Sequence, residues 1–369
     1  MRVFYDHQVT SLQDAGGVSR YYLELVRALL RTGDVNADLL FGFTRSVLPF
    51  TKLRPDARVT NWPSLLRPGY ARYGVNEALT AVLAPFRGRF DVYHAGYQRV
   101  LPYIRSSAVV VTHHDSTPQR FPHLFRDAAA IHKRLRKVYE RADRIICISE
   151  SCRTDLLEYF AIEPERTEVI YHGFTPLPED DGEWPDELSP ERPYLLFVGA
   201  RHSYKNLPTV LRALALQKDS ELRLVVAGGG PFSSEETELI EQLHLNERVR
   251  LIPRVSDAVL SAAYRNALMF IYPSIYEGFG FPPLEAMHTG CPAVVSRSSA
   301  LPEVCGDAAF YFDPSSVEEL AALIAKLRDD DRLRLSKREA GRAQVMKYSW
   351  ERSAAQTINV YHKAIESLS

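Results

Sequence analysis

The stretch SIYEGFGFPPLEAM, residues 274 to 287, holds two carboxylates, Glu277 and Glu285, with seven residues between them. The first lies inside a glycine turn and the second just past Pro282 and Pro283. Acids so placed could work as a general acid and base, bind a metal, accept hydrogen bonds from hydroxyl groups, or be plain surface charge. Three other loops carry residues suited to chemistry. In VGARHSYKNLP, Arg201 and Lys205 precede a helix start, and two cations beside exposed N–H groups suit an anion. Asn206 is placed to cap that helix. In DAGGVSRYYLELVRALL, Gly16 and Gly17 let the backbone approach a ligand at a helix N-terminus, with Tyr21, Leu25, Ala28 and Leu29 on the apolar face. Neither GxGxxG nor GxxxxGK occurs, so no dinucleotide fingerprint or P-loop is present. In VVVTHHDSTPQRFP, His113 and His114 are strand neighbours that point to opposite faces, an arrangement ill suited to chelating one metal. At most one of them meets a ligand, where an imidazole could bond a hydroxyl or a phosphate oxygen.

Short apolar runs supply the frame for these loops. In the first half they are RVFYD (2–6), DVYHAG (91–96), VVVTHHD (109–115) and RIICIS (144–149). In the second half they are YLLFVGA (194–200), LRLVVAGG (222–229), VRLIP (249–253), MFIYPS (269–274) and PAVVS (292–296). Strands apolar at nearly every position, alternating with helical spacing, imply parallel sheets covered on both faces, hence two doubly wound α/β domains. The spacing assigns residues 1–174 to one and 194–349 to the other, with a helical segment at 350–369. Residues 175–193, TPLPEDDGEWPDELSPERP, hold five prolines among many acids and read as an exposed linker. Ligands of such sheets bind outside the carboxyl ends of the strands, so two such domains are expected to face each other across a cleft. Glu277 falls at a strand end beside Phe279, expected to be exposed, and Glu285 in the first turn of a helix that Gly290 stops.

At 369 residues, 46% hydrophobic and 25% charged, the composition suits a soluble globular protein. No apolar run approaches the ~20 residues that span a bilayer. The start, MRVFYDHQ, reads as a strand and not as a secretory signal, which points to the cytoplasm. Cys147, Cys152, Cys291 and Cys305 form no CxxC pair and read as reduced thiols. The net charge of −1 hides an excess of positive charge over residues 1–170 and of negative charge beyond. Residues 120–144 are rich in Lys and Arg, with Ile131, Leu135 and Val138 at helical spacing. A basic amphipathic helix there could rest on anionic lipid at the inner face of a membrane, or could simply pack on its sheet.

EGFGFPPLEAM followed by TGCPAVVSRSSALPEV is similar to the Glu-x7-Glu signature of the retaining glycosyltransferases of family 4, which have the GT-B architecture. GGVSRYYLEL, THHDSTPQRFP, YHGF, FVGARHSYKN and YSWE match in the same order, so the resemblance covers nearly the whole chain. It implies two Rossmann-like domains and a final helix crossing back to the first. It further implies that Arg201 and Lys205, helped by the backbone at Gly16 and Gly17, bind the diphosphate of a nucleoside diphosphate sugar. Glu277, within the loop Gly278, Phe279, Gly280 and Phe281, would hold the transferred sugar, and Glu285 the ribose. His114 would reach the sugar or its phosphate. Arg254 and Val255 would lie in the nucleobase loop, where relatives commonly carry glycine near Pro253 and Arg254. Glu277, His114, Arg201 and Lys205 would be the catalytic set, with no metal and no cofactor beyond the donor. The implied acceptor is a glycan or lipid-linked glycan of surface polysaccharide assembly, and mannose is the candidate sugar. A nucleotide-sugar epimerase and a non-catalytic sugar-binding relative are the alternatives.

Overall fold

The computed structural model describes residues 1–12, 16–44, 58–63, 69–96, 98–179 and 192–367. The chain forms two compact units: Met1–Gly173 with Ser349–Ser369, and Phe174–Tyr348. Most of the expected linker, residues 180–191, falls outside the described residues.

In the first unit the strands are β1 (Arg2–Tyr5), β2 (Asn36–Thr44), β3 (Arg58–Pro63), β4 (Phe90–Ala95), β5 (Ser106–His113), β6 (Arg144–Cys147) and β7 (Thr167–Val169). All pair parallel, in the order β3-β2-β1-β4-β5-β6-β7. The order reverses between β1 and β4. Val3, Phe4, Val92, Val110, Ile145 and Ile146 are fully buried, as strands covered on both faces require. The helix Gly17–Thr32 buries Tyr21, Leu25, Ala28 and Leu29, the face read from its spacing.

The last helix, Trp350–Glu366, belongs to this unit. Ser349 caps it by accepting from Arg352 N at 3.3 Å. It buries Trp350, Ala354, Thr357, Val360, Tyr361 and Ala364, one stripe at helical spacing. Gly173 allows the entry: a Cβ there would lie 2.3 Å from the backbone nitrogen of Trp350.

The second unit contains β8 (Tyr194–Val198), β9 (Arg223–Ala227), β10 (Val249–Ile252), β11 (Met269–Tyr272), β12 (Ala293–Ser296) and β13 (Phe310–Phe312). They too are all parallel, in the order β10-β9-β8-β11-β12-β13, reversing between β8 and β11. Its core gathers Leu195, Phe197, Val210, Leu214, Leu224, Ile271 and Ile324. Each such side chain contributes roughly 1.5–3 kcal/mol by leaving water.

All four cysteines are free and buried. No helix among the described residues is long and apolar enough to cross a membrane. The basic helix forms over Ala128–Arg141 and buries Leu135, Val138 and Tyr139, so most of its apolar stripe is used in packing. Tyr139 hydrogen-bonds His113 and meets Phe160 edge-on.

Candidate active site

In the second unit, the reversal of strand order brings the loops after β8 and β11 side by side. Tyr204 O accepts from Ile275 N at 2.8 Å, and Asn206 Nδ2 donates to Pro273 O at 3.2 Å and Pro314 O at 2.8 Å. Asn206 therefore sits at the N-cap position without capping: its backbone is left-handed (φ 59°) and its side chain ties loops together. That corrects the expected cap.

The stitching sets Lys205 Nζ 2.6 Å from Glu277 Oε1, with 16% and 11% of the two side chains exposed. Nζ also donates to the Tyr272 hydroxyl at 3.2 Å and lies 5.4 Å from the ring centres of Tyr204 and Tyr272. An ammonium between two aromatic rings and a carboxylate is fixed in place. Glu277 is held from the other side, since its N–H donates to Ser299 Oγ, in the loop after β12, at 2.8 Å. Burial, with the Glu277 charge next in weight, pushes the Tyr272 hydroxyl well above its ordinary pKa. Tyr272 and Tyr204 were not singled out in the sequence, although Tyr272 lies within the run MFIYPS.

Arg201 has a different setting from the anion-binding role implied for it. Its Nε donates to Glu236 Oε1 at 2.9 Å, Nη1 to Gly228 O at 2.6 Å, and Nη2 to Gly230 O at 3.0 Å and to Pro231 O. Four of the guanidinium's five N–H donors are thereby engaged, and the side chain is 4% exposed. Glu236 meanwhile completes a capping box with Ser233 at the start of Ser234–Gln242. Arg201 thus clamps the glycine turn after β9 to a helix N-terminus.

The helix after the glycine turn spans Phe281–Thr289, with Gly280 at its N-cap (φ 105°) and Gly290 at its C-cap (φ 81°). Glu285 is its fifth residue, one turn deeper than expected, so the helix dipole does little for it. It is 7% exposed and accepts from the Tyr264 hydroxyl at 3.0 Å. Phe279, expected at the surface, is 3% exposed and packs edge-on against Phe281 and Tyr348. The ring anchors the turn. Pro282 and Pro283 deprive the first helical turn of two N–H donors. Arg254 is exposed in the loop after β10, with Val255 half-buried beside it. Among the described residues no cluster of His, Cys, Asp and Glu could hold a metal ion.

In the first unit, Gly16 is extended (φ 170°) at the N-cap of Gly17–Thr32, and a Cβ on Gly17 would meet nothing within 4 Å. His113 and His114 do diverge. His113 bonds the Tyr139 hydroxyl at 2.7 Å and Ser116 Oγ at 3.1 Å, and burial lowers its pKa to about 4. His114 is 7% exposed, ringed by Tyr21, Tyr22 and His172, and its Nε2 has no hydrogen-bond partner among the described residues. Burial and then the neighbouring histidines hold its pKa well below the usual value, so the ring is neutral.

Sequence reasoning also missed the end of β1. Asp6, 2% exposed, accepts from Gln8 N and Nε2 (both 2.8 Å), Gly96 N (3.1 Å) and the Tyr93 hydroxyl (2.5 Å). The polar run DHQ after the first apolar strand was the available signal.

Two parallel sheets, each with a reversal of strand order, belong to the doubly wound α/β class, whose ligands bind outside the carboxyl ends of the strands. The family model described as Glycosyltransferase Family 4 matches residues 15–176, and that described as Glycosyl transferases group 1 matches residues 181–344. The chain belongs to the glycosyltransferases of the GT-B fold. It is 29% identical to O-antigen chain mannosyltransferase B of Escherichia coli, over 94% of this chain and 95% of that one. It is 31% identical to the MMP alpha-(1->4)-mannosyltransferase of Mycolicibacterium hassiacum, over 77% of this chain and 73% of that one. In fold it is similar to HepE of Anabaena, solved in complex with UDP and glucose: TM-score 0.73, 19% identity, 97% of this chain and 99% of that one covered.

Proposed function

We propose that the protein is a retaining, metal-independent hexosyltransferase. It moves a sugar, mannose by preference, from a nucleoside diphosphate donor to a glycan or lipid-linked glycan in surface polysaccharide synthesis. The Lys205–Glu277 pair at the second sheet's reversal point carries this reading. Departure of a nucleoside diphosphate builds negative charge on the leaving oxygens, and a fixed ammonium stabilises it without a metal. Of the three N–H donors on Lys205, two go to Glu277 and Tyr272; among the described residues the third has no partner and can meet a phosphate oxygen.

Glu277, already accepting from that ammonium, accepts hydroxyls of the transferred sugar and so fixes the anomeric carbon relative to the diphosphate. A glycosidase would instead need one carboxyl to deliver a proton. Glu285, one turn into the helix and bonded by Tyr264, is left to the ribose hydroxyls. Phe279 and Gly280 contribute backbone N–H groups, with Gly278 and Phe281 shaping the turn. The backbone at Gly16 and Gly17 and the unpartnered Nε2 of neutral His114 bind the phosphate and sugar under the same reading. Arg254 and Val255 flank the base. Arg201 acts on the donor through the loop it clamps. A leaving phosphate oxygen takes the acceptor's proton on the face it vacates, which preserves the anomeric configuration. The relatives named as mannosyltransferases support the choice of sugar.

The test is transfer from GDP- and UDP-hexoses. Glu277→Ala and Lys205→Ala should each lower the rate by at least about tenfold with an unchanged circular dichroism spectrum, and EDTA should leave the wild-type rate intact. Near wild-type turnover by either variant would refute the assignment, as would an absolute requirement for a divalent ion.

A further inference from the structure

The helix Gly69–Leu83 and the turn Ala84–Arg87 present an outer face with little charge. Val75, Val82 and Phe86 are 43%, 62% and 85% exposed, and Ala71, Gly74, Ala78 and Pro85 lie on the surface among them. Positions 75, 78, 82 and 86 share one side of a helix. The opposite side is occupied: Arg72, Asn76 and Thr80 are buried, with Arg72 bonded to Ser11 O and Asn76 to Ser11 Oγ and Phe43 O. The half-buried Glu77, the charged residue on the remaining flank, is paired with His7 and Arg99. Soluble helices ordinarily keep charge on such a face, so a row of bare apolar groups marks a contact surface.

The surroundings favour one occupant. Beside Phe86 the amino ends of β1, β3, β4 and β5 bring Arg2, Arg58, Arg89 and Arg105 to the surface. Arg2 donates to the carbonyls of Arg87 and Arg89, and Phe90 N donates to Arg105 O, which ties this basic rim to the turn that carries Phe86. Asp38 is neutralised by buried Arg87, and Asp91, which accepts from the backbone N–H of Arg2, offsets one of the four arginines, so the rim keeps a net positive charge. An apolar row bordered by arginines complements a layer whose interior is hydrocarbon and whose surface is anionic.

We propose that residues 75–89 form a docking surface for an anionic phospholipid bilayer, with Phe86 and Val82 at the acyl boundary and Arg58, Arg89 and Arg105 on the headgroups. This surface is distinct from the basic helix Ala128–Arg141, and it stands whether or not the proposed transfer reaction is correct.

The test is co-sedimentation of the full chain with phosphatidylcholine vesicles, with and without about a third phosphatidylglycerol, combined with light scattering of the protein alone. Binding should need the anionic lipid and weaken in 0.5 M salt, by about tenfold or more. Phe86→Ser and the pair Arg89→Ser/Arg105→Ser should each reduce it by about fivefold or more. Lys133→Ser/Arg134→Ser, on the basic helix, should leave it unchanged. Absence of vesicle binding, or loss only with the Lys133/Arg134 variant, overturns the proposal. A dimer in light scattering that Phe86→Ser dissociates would also overturn it, by assigning the face to a second copy of the chain.

Discussion

Replacing Arg201 by alanine separates a structural clamp from a ligand cation. The guanidinium links Glu236 and three loop carbonyls while only 4% exposed, and Glu236 is itself only 14% exposed. Removing one partner of a buried ion pair costs about 3–5 kcal/mol, because the remaining charge keeps its burial without its counter-ion. Two features place the loss at the lower end. Pro231 is exposed and Gly228 and Gly230 are half-buried, so water can reach the released carbonyls, and Glu236 keeps its bond from Ser233 N at 2.8 Å. About 3 kcal/mol in a unit of this size lowers its melting temperature by roughly 6–12 °C. Glu236→Gln has one acceptor oxygen where the carboxylate uses two, for Arg201 Nε and Ser233 N, and it leaves the guanidinium buried without a counter-ion, so it too should cost about 3 kcal/mol. The pair should show a coupling energy of about 2 kcal/mol in a double-mutant cycle with Arg201→Ala and Glu236→Ala. Arg201→Lys should rescue little, since an ammonium cannot span Glu236 and the carbonyls of Gly228, Gly230 and Pro231 together. Calorimetry of the second unit's transition reads all of these values. A melting point for Arg201→Ala within 2 °C (about 1 kcal/mol or less) of wild type, with no coupling to Glu236, would refute the clamp and leave Arg201 a simple donor ligand.

Stability should also depend on acid. His94 and His172, with pKa near 3, and His113, near 4, are neutral when folded because burial disfavours their charge. Unfolded, they protonate near 6.5, so the unfolded chain binds more protons as pH falls below that value. The first unit is therefore most stable above about pH 6.5 and loses up to about 1.4 kcal/mol per histidine for each pH unit on the way towards 3–4; equal unfolding midpoints at pH 7.5 and 5 would contradict this. Gly280→Ala should cost about 1–3 kcal/mol, because φ is 105° and the new Cβ would lie 2.8 Å from Leu301 Cδ2. Unchanged denaturant resistance in that variant would show that the turn does not hold this conformation.

The fold was legible because most strands are continuous apolar runs bounded by turn residues. Those that escaped notice have physical reasons. β2 carries Gly42 at a positive φ where its pairing with β3 shifts register, so the apolar run looks interrupted. β3, RVTNWP, mixes polar residues with a terminal proline, and β7 and β13 have three residues each. The loops that follow the apolar strands could be picked out in the sequence, but not their contacts. Lys205 and Glu277 lie 72 residues apart, and their meeting depends on β8 lying beside β11, which no local pattern encodes. Arg201 shows the opposite limit. A cation in a loop near a helix start reads as an anion site, and only the positions of Glu236 and the carbonyls of Gly228, Gly230 and Pro231 reveal that its donors are engaged.

The two reversal points differ in what they leave for a ligand. In the first unit, β1 and β4 are joined through Asp6, whose carboxylate accepts from Gln8, Gly96 and Tyr93, while Gln8 also bonds Gln98 N and Arg99 O. A carboxylate supplied with so many donors has little left to offer a substrate, so it fixes backbone. Below it runs a buried chain: Tyr5 to Tyr361, Tyr361 to His94, His94 to Thr112, Thr112 to Tyr21. That chain gives the last helix a polar anchor as well as an apolar one, and it ends beside His114, whose Nε2 remains unpartnered. In the second unit, the loops after β8 and β11 are joined through an ammonium and a carboxylate, Lys205 and Glu277, 2.6 Å apart. Lys205 and Glu277 thus put paired charge at the second reversal point, whereas the junction of β1 and β4 is held by Asp6 and the neutral ring of His114 follows β5, one strand further along.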